Sequence, residues 1–405
     1  MSNSSIGLEM MRFAVLGAAI DIYNFATRNM ETTATNENRQ AERLAALRLS
    51  MVSGLGPRLF ARLVEAFGSA HGVLAAHPEQ LRTVPGIGPK LVREIVTAPS
   101  IADAELVLAQ CQAHGIRTIF RDDEDYPRLL SEIHDPPVVL FCRGTLLPID
   151  SLAVAIVGSR HATNYGLAQA EKLARGLAMA GVTVVSGLAR GIDAAAHRGA
   201  LSAGGRTLAV LGNGLTEVYP PEHAGLAREV MTQGALISEL LPDQPPKSDA
   251  FPQRNRIITG LSVGLVVVEA AQRSGALISA RLAMEQGREV FAVPGRVDNR
   301  MSGGCHRLIR DGAKLVETVD DVLEELGPLV NAIPIKDDQT IRHPGELLLN
   351  EQENQVLQAI DVEPTTIDAI VARSGLTIQR VLSTLSVLEM RKLIRRVGGQ
   401  QIIRL

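Results

Sequence analysis

The sequence predicts an α/β protein: a doubly wound parallel sheet, with a small helical domain before it and a winged-helix domain after it. Three observations predict this. From Arg117 to about Leu326, short apolar runs alternate with amphipathic helical stretches, and repeated βα units with right-handed crossovers wind a sheet on both faces. Hydrophobic residues make up 46% of the 405 residues, while aromatics are only 3% and Trp is absent. The core is therefore Ala, Val, Leu and Ile, the composition of aliphatic strands packed on Ala-rich helices. Finally, loops rich in glycine and arginine follow the apolar runs.

Residues 1–40 are set apart from this pattern. Met10 to Ala26 is fairly apolar, but Asp21 and Asn24 interrupt it, and it is too short for a membrane span. It lacks the charged start and small-residue cleavage site of a signal peptide. Asn29 to Gln40 is polar and reads as a linker. The whole is expected to be a poorly ordered extension, of the kind an upstream start codon adds. A short helix docking elsewhere is the alternative.

Residues 41–115 read as helical, with a repeated turn. Gly54-Leu55-Gly56-Pro57 and Gly86-Ile87-Gly88-Pro89 each lead into a helix, with Arg58 and Lys90 directly after the prolines. Glycine permits the tight turn, and proline suits the first helical position. Each repeat leaves helix-start amides able to hold a phosphate. The repeats resemble helix-hairpin-helix (SAM-like) modules of non-specific DNA-binding proteins. DNA contact and two ordinary αα-turns in a helical cap both remain open.

Residues 116–326 form the sheet domain. Predicted strands are Arg117–Phe120, Val138–Arg143, Ala153–Val157, Thr183–Ser186, Thr207–Leu211, Leu236–Ser238, Gly264–Glu269, Glu289–Val293 and Lys314–Val316. Helices are expected at 166–180, 193–203, 225–233, 277–287 and 319–326. Ligands of such sheets bind beyond the carboxyl ends of the strands. Five loops there carry glycine, and four carry arginine: Gly158-Ser159-Arg160, Gly187 to Asp193 with Arg190, Gly212-Asn213-Gly214, Ala270 to Ala276 with Arg273 and Gly275, and Pro294-Gly295-Arg296. Any one is an ordinary turn. Together on one edge they suit a phosphate-rich ligand. Neither the dinucleotide fingerprint Gly-x-Gly-x-x-Gly nor the P-loop pattern is present, which argues against an NAD enzyme or a P-loop ATPase.

Phe251-Pro252-Gln253-Arg254-Asn255-Arg256 precedes the apolar run Leu265–Val268. Two arginines beside a helix start oppose the macrodipole unless an anion lies between them and the free amides. Phe251 adds a flat face for a base. Pairing of both arginines with surface carboxylates is the competing reading. The formal net charge is −3, yet Arg254 to Lys314 holds ten Lys/Arg against five Asp/Glu, a local +5. An anion site is thus local rather than general. Cys111, Cys142 and Cys305 are few and far apart, so neither a disulfide framework nor a zinc motif is indicated, and a reducing cytosol fits.

Residues 327–345 read as a linker. In 346–405, helices at 350–360, 366–374 and 377–390 precede a hairpin, 393–397 and 401–405, across Gly398-Gly399. This is helix-turn-helix plus wing. The presumed recognition helix carries only Arg380 as a cation, so protein contact or regulation competes with duplex reading.

Gly158-Ser159-Arg160, Ser186 to Asp193, Tyr219-Pro220-Pro221-Glu222-His223, Phe251 to Ser262, Ser274 to Ile278 and Ala292-Val293-Pro294-Gly295 together resemble the DprA/Smf DNA-processing family. The resemblance implies an extended Rossmann-like fold and a cytoplasmic, homodimeric single-stranded DNA binder. It also implies loading of RecA recombinase during natural transformation, with no catalytic residue, metal, cofactor or membrane contact. It places Gly158, Ser159, Arg160, Phe251, Arg254, Asn255, Arg256, Ser274 and Gly275 around the DNA. Gly187 and Arg190 join from the neighbouring loop, and Lys247 from the loop before Phe251. The sequence departs from the family at Gly303-Gly304-Cys305-His306, where many members have Gly-Thr-Asn, so no DNA contact is assigned to Cys305 or His306. The alternative function is a nucleoside-monophosphate phosphoribohydrolase-like enzyme on a related sheet. Its Pro-Gly-Gly-x-Gly-Thr pattern is missing after Pro294.

Overall fold

Short apolar runs bounded by glycine set the strands, and the helices between them bury Ala and Leu stripes. The computed structural model describes residues 38–330, 351–361, 364–390, 393–397 and 401–404. Residues 1–37 of the expected extension, positions 331–345 of the expected linker and the wing glycines Gly398-Gly399 lie outside the described residues.

The chain forms two units, one ending at Leu106 and the other starting at Val107. The first holds helices α1 (38–50), α2 (Pro57–Phe67), α3 (Ala70–Ala75), α4 (Pro78–Leu81) and α5 (Pro89–Val96). Helix α1 already includes 38–40, which the sequence assigned to the extension. Both repeats behave as their residues demand. Gly54 and Gly86 take φ of +84° and +92°, and Pro57 and Pro89 open α2 and α5. Leu49, Leu63, Val73, Leu81, Val92 and Ile95 close the core of this unit.

Helix α6 (Ile101–Ala113) leads to β1 (Arg117–Phe120), α7 (Arg128–Ser131), β2 (Val139–Gly144) and β3 (Ala153–Gly158). Then follow α8 (Asn164–Met179), β4 (Thr183–Ser186), α9 (Ile192–Ser202), β5 (Thr207–Val210), α10 (Ala224–Gln233), β6 (Gly234–Ser238), α11 (Ala250–Gly260), β7 (Gly264–Val268), α12 (Gly275–Glu285), β8 (Glu289–Ala292), α13 (Gly303–Arg310), β9 (Lys314–Leu315) and α14 (Val319–Val330). All nine predicted strands are present, with ends displaced by no more than two residues. The order is β1-β2-β6-β5-β4-β3-β7-β8-β9.

Strands β3 to β9 are parallel, while β1 and β2 are antiparallel to each other and β2 to β6. The expected doubly wound parallel sheet is present as β3 to β9, with an antiparallel pair added at one edge. A parallel return needs a crossover, usually a full helix. Between β1 and β2 there is only the one-turn α7, so the chain doubles back. The central strands β4 to β7 are buried on both faces, and Leu265 to Val268 are fully enclosed. The chain steps outward from β3 to β6, then returns to the other side of β3 with β7. That reversal makes the carboxyl ends of β3 and β7 the crevice of the sheet.

The C-terminal part holds α15 (Glu351–Gln358), β10 (Thr365–Thr366), α16 (Ile367–Ser374), α17 (Ile378–Met390), β11 (Ile394–Arg396) and β12 (Gln401–Arg404), with strand order β10-β12-β11. Leu357, Ile370, Val381, Leu385 and Ile402 fill its core. The sequence missed β10, because two residues carry no period.

Candidate functional site

The crevice between β3 and β7 opens into a cavity of about 750 Å³. Gly158 reaches it from the end of β3 and Arg160 from the loop after it, Ala189 and Asp193 from the loop and helix after β4, and Ser274 and Gly275 from the start of α12. Helix α11 contributes Phe251, Arg254, Asn255 and Ile258. These follow i, i+3, i+4, i+7, one stripe of a helix.

Exposed Arg160 places its guanidinium carbon 5.2 Å from the centre of the Phe251 ring, within cation–π range. Phe251 also meets Tyr219, with ring centres 5.7 Å apart and planes at 44°. One wall is therefore aromatic, with a cation lying over it.

Arg254 plays another part. It is 6% exposed, and its Nη1 donates to Gly187 O at 2.7 Å and to Val210 O. Burial lowers its pKa to about 10, with Arg160 adding and Asp193 opposing, so it stays charged at neutral pH. Buried Asp193 accepts from the N–H groups of Gly187 at 3.2 Å and Ala189 at 3.4 Å. Burial raises its carboxyl, while Arg254 and these amides pull it down. The result is a cation fixed in the cavity floor.

The glycines divide the same way. A Cβ on Gly187 would lie 2.5 Å from the Arg254 guanidinium, and one on Gly158 would lie 1.8 Å from Val268 O. Their bareness serves the seating of Arg254 and the packing of β3 against β7. Gly275 is exposed, and a Cβ there would meet nothing within 4 Å. It opens α12, whose N-cap Ser274 accepts from Ala276 N–H at 3.2 Å. The first turn of α12 thus presents free amides to the cavity.

Arg256 corrects the sequence reading. Two residues past Arg254 it points about 200° around the helix, away from the cavity. It is 7% exposed, with Nη2 paired to Glu239 and Nε 3.5 Å from Asp135 Oδ2. The competing reading, carboxylate pairing, holds for this arginine, in the interior rather than at the surface. Burial raises the Glu239 carboxyl and Arg256 opposes it.

Ser159, Gly187, Arg190 and Lys247 are likewise not on the wall of the main cavity. The Ser159 hydroxyl accepts from His161 N–H at 3.1 Å and faces Met301 Sδ at 3.7 Å. Lys247 is exposed between Pro246 and Ser248, which do line the cavity. Gly187 and Arg190 line an adjoining cleft of about 30 Å³, where Arg190 pairs with Glu222 at 2.5 Å. Tyr219 and Ile258 are wall residues that the sequence reading missed. The helical stripe starting at Phe251 carries the signal for Ile258.

Carboxylates near the crevice are committed to structure. Buried Glu269 accepts from Thr163 N–H at 2.8 Å and Thr163 Oγ1 at 2.5 Å, tying β7 to the start of α8. Among the described residues no group of three or more His, Cys, Asp or Glu is arranged to hold a metal. No described helix is long and apolar enough to cross a membrane.

The fold and cavity define a Rossmann-like α/β protein with an arginine-bearing pocket at the reversal of its sheet, carrying a helix-hairpin-helix module and a winged helix. The profile of the family described as DNA recombination-mediator protein A matches residues 117–327. The DprA winged helix domain matches 342–400 and the SAM-like helix-hairpin-helix tandem 46–98. Protein Smf of Synechocystis sp. is 36% identical over 387 residues, 87% of this chain and 96% of that protein. DNA processing protein DprA of Streptococcus pneumoniae is 47% identical over 203 residues, 50% of this chain and 72% of that protein. The X-ray structure of DprA from Streptococcus pneumoniae matches with a TM-score of 0.61 at 36% identity, covering 70% of this chain and 97% of that one. The chain belongs to the DNA recombination-mediator protein A (DprA/Smf) family.

Proposed function

We propose that this protein binds single-stranded DNA in the crevice cavity and acts as a recombination mediator, protecting incoming strands and loading RecA during natural transformation. The observation that carries this is the Arg160 guanidinium lying over the Phe251 ring at a cavity whose floor holds the buried charge of Arg254. An exposed cation beside a flat ring takes a phosphate and a stacked base together, and such stacking contributes about 1–3 kcal/mol per base. Asn255, Ser274 and the amides around Gly275 supply polar partners without sequence preference, and Lys247 lies at the loop beside them. Arg254 acts through its charge and through the shape it gives the floor. RecA loading and action as a cytoplasmic homodimer rest on membership of the family.

Fluorescence anisotropy with a labelled oligo-dT tests the reading. Phe251→Ala is expected to weaken binding by about five- to a hundredfold, and Arg160→Ala to weaken it without shifting thermal unfolding. Unchanged affinity in both variants sinks the proposal. Free adenine released from AMP by the same sample replaces it with the phosphoribohydrolase reading.

A further inference from the structure

Arg190 belongs to a separate piece of architecture at the rim. The turn after β5 is fixed from two sides: the Tyr219 ring packs against Phe251, and buried His223 bonds through Nδ1 to Leu188 O at 2.8 Å. Between them Glu222 reaches out and holds Arg190, Nε to Oε1, at 2.5 Å. Both side chains stay about half exposed, at 52% and 49%. The cleft beside this pair shares Arg160, Ala189, Tyr219 and Phe251 with the main cavity. The two spaces therefore adjoin across the Phe251 ring. The cleft carries both Tyr219 and Arg190 on its wall.

We infer that Tyr219 and Arg190 form a second base-and-phosphate subsite, and that the Glu222 carboxylate is a competing anion which the DNA phosphate displaces. The inference rests on the proposed single-strand binding. The chemistry is an exchange of like for like, one oxyanion on Arg190 for another. Both partners are open to solvent, where an ion pair is screened and contributes little, so Glu222 is a weak occupant that a tethered phosphate removes easily. Tyr219 is 38% exposed, enough to offer a stacking face beside the exchanged phosphate. Because the turn is pinned at Tyr219 and His223, Glu222 is displaced by rotation of its own side chain, with no movement of the loop.

A double-mutant cycle tests this, with anisotropy on an oligo-dT long enough to pass the first cavity. Glu222→Gln keeps the shape and removes the charge, and is expected to tighten binding about two- to fivefold, the range an exposed pair can withhold. Arg190→Ala is expected to weaken binding and to reduce the log–log salt slope by about 0.7. In the Arg190→Ala background, Glu222→Gln is expected to change nothing, since the carboxylate acts through that guanidinium. Equal or weaker binding by Glu222→Gln overturns the inference. So does a gain that persists without Arg190, which marks general repulsion, or an Arg190→Ala variant that binds like the wild type. Wild-type protein that binds no oligonucleotide, or whose affinity neither Phe251→Ala nor Arg160→Ala changes, overturns the proposed function instead, so the two failures are distinguishable.

Discussion

Arg160, Arg254 and Arg256 look alike in the sequence and end in three environments: exposed over an aromatic ring, buried on two carbonyls, and buried on two carboxylates. The residue types were legible in the chain, but their partners come from segments far away in sequence. The same holds for His197, which is fully buried. Its Nδ1 lies 2.7 Å from Thr207 Oγ1, and that hydroxyl donates to Val184 O at 2.8 Å. The imidazole must therefore donate, and it is neutral. Burial, with His223 and Arg254 adding, pushes its pKa down to about 3 from 6.5. Between those values the unfolded chain binds a proton that the folded chain refuses. Stability consequently falls as pH falls through this window. Buried Asp193 is shifted the other way and contributes the opposite sign, but it is common to wild type and variant. His197→Gln is expected to remove the histidine share, so the wild type loses up to about 1.4 kcal/mol per pH unit more than the variant below pH 6.5. Urea unfolding at pH 7, 6 and 5 measures it, and parallel pH profiles contradict it.

At the scale of the element, α11 explains the site. Its stripe of Phe251, Arg254, Asn255 and Ile258 faces the cavity, while Arg256 bolts the far side to Glu239 after β6 and to Asp135. The sequence located the segment and its arginines. Treating them as a pair beside the helix start, rather than as positions on a 3.6-residue spiral, put Arg256 on the wrong face. The distinction is measurable. Arg256→Gln leaves Glu239 half-paired and is expected to destabilise the fold, by less than the roughly 3–5 kcal/mol of a fully buried pair, since the two carboxylates keep 21% and 28% exposure. Its salt slope for DNA should match that of the wild type, because no phosphate contact is lost, whereas Arg160→Ala lowers the slope by about 0.7. A lower slope for Arg256→Gln returns that arginine to the DNA.

For the whole molecule, the strands were readable because most are short aliphatic runs, the central ones buried on both faces, whereas the reversal at β3 and β7 that places the crevice is strand order, which pattern does not give. The antiparallel edge was not readable, since pattern gives a strand but not its direction. Charge at this scale sets the last expectation. The chain carries −3 overall while 254–314 carries +5, and exposed charges farther apart than about 8 Å are largely screened at physiological salt. Attraction to DNA is then the work of a few cations at the crevice rather than of a general field. Counting one phosphate each for Arg160, Arg190 and Lys247, three of the exposed cations around it, the log–log dependence of affinity on salt should have a slope near −2, about −0.7 for each phosphate. Titrations between low and physiological salt measure it directly. A slope near zero leaves no phosphate in the crevice. A much steeper slope brings in a second basic surface, and the helix-hairpin-helix repeats are where to look, because Arg58 and Lys90 stand at helix starts whose amides are free.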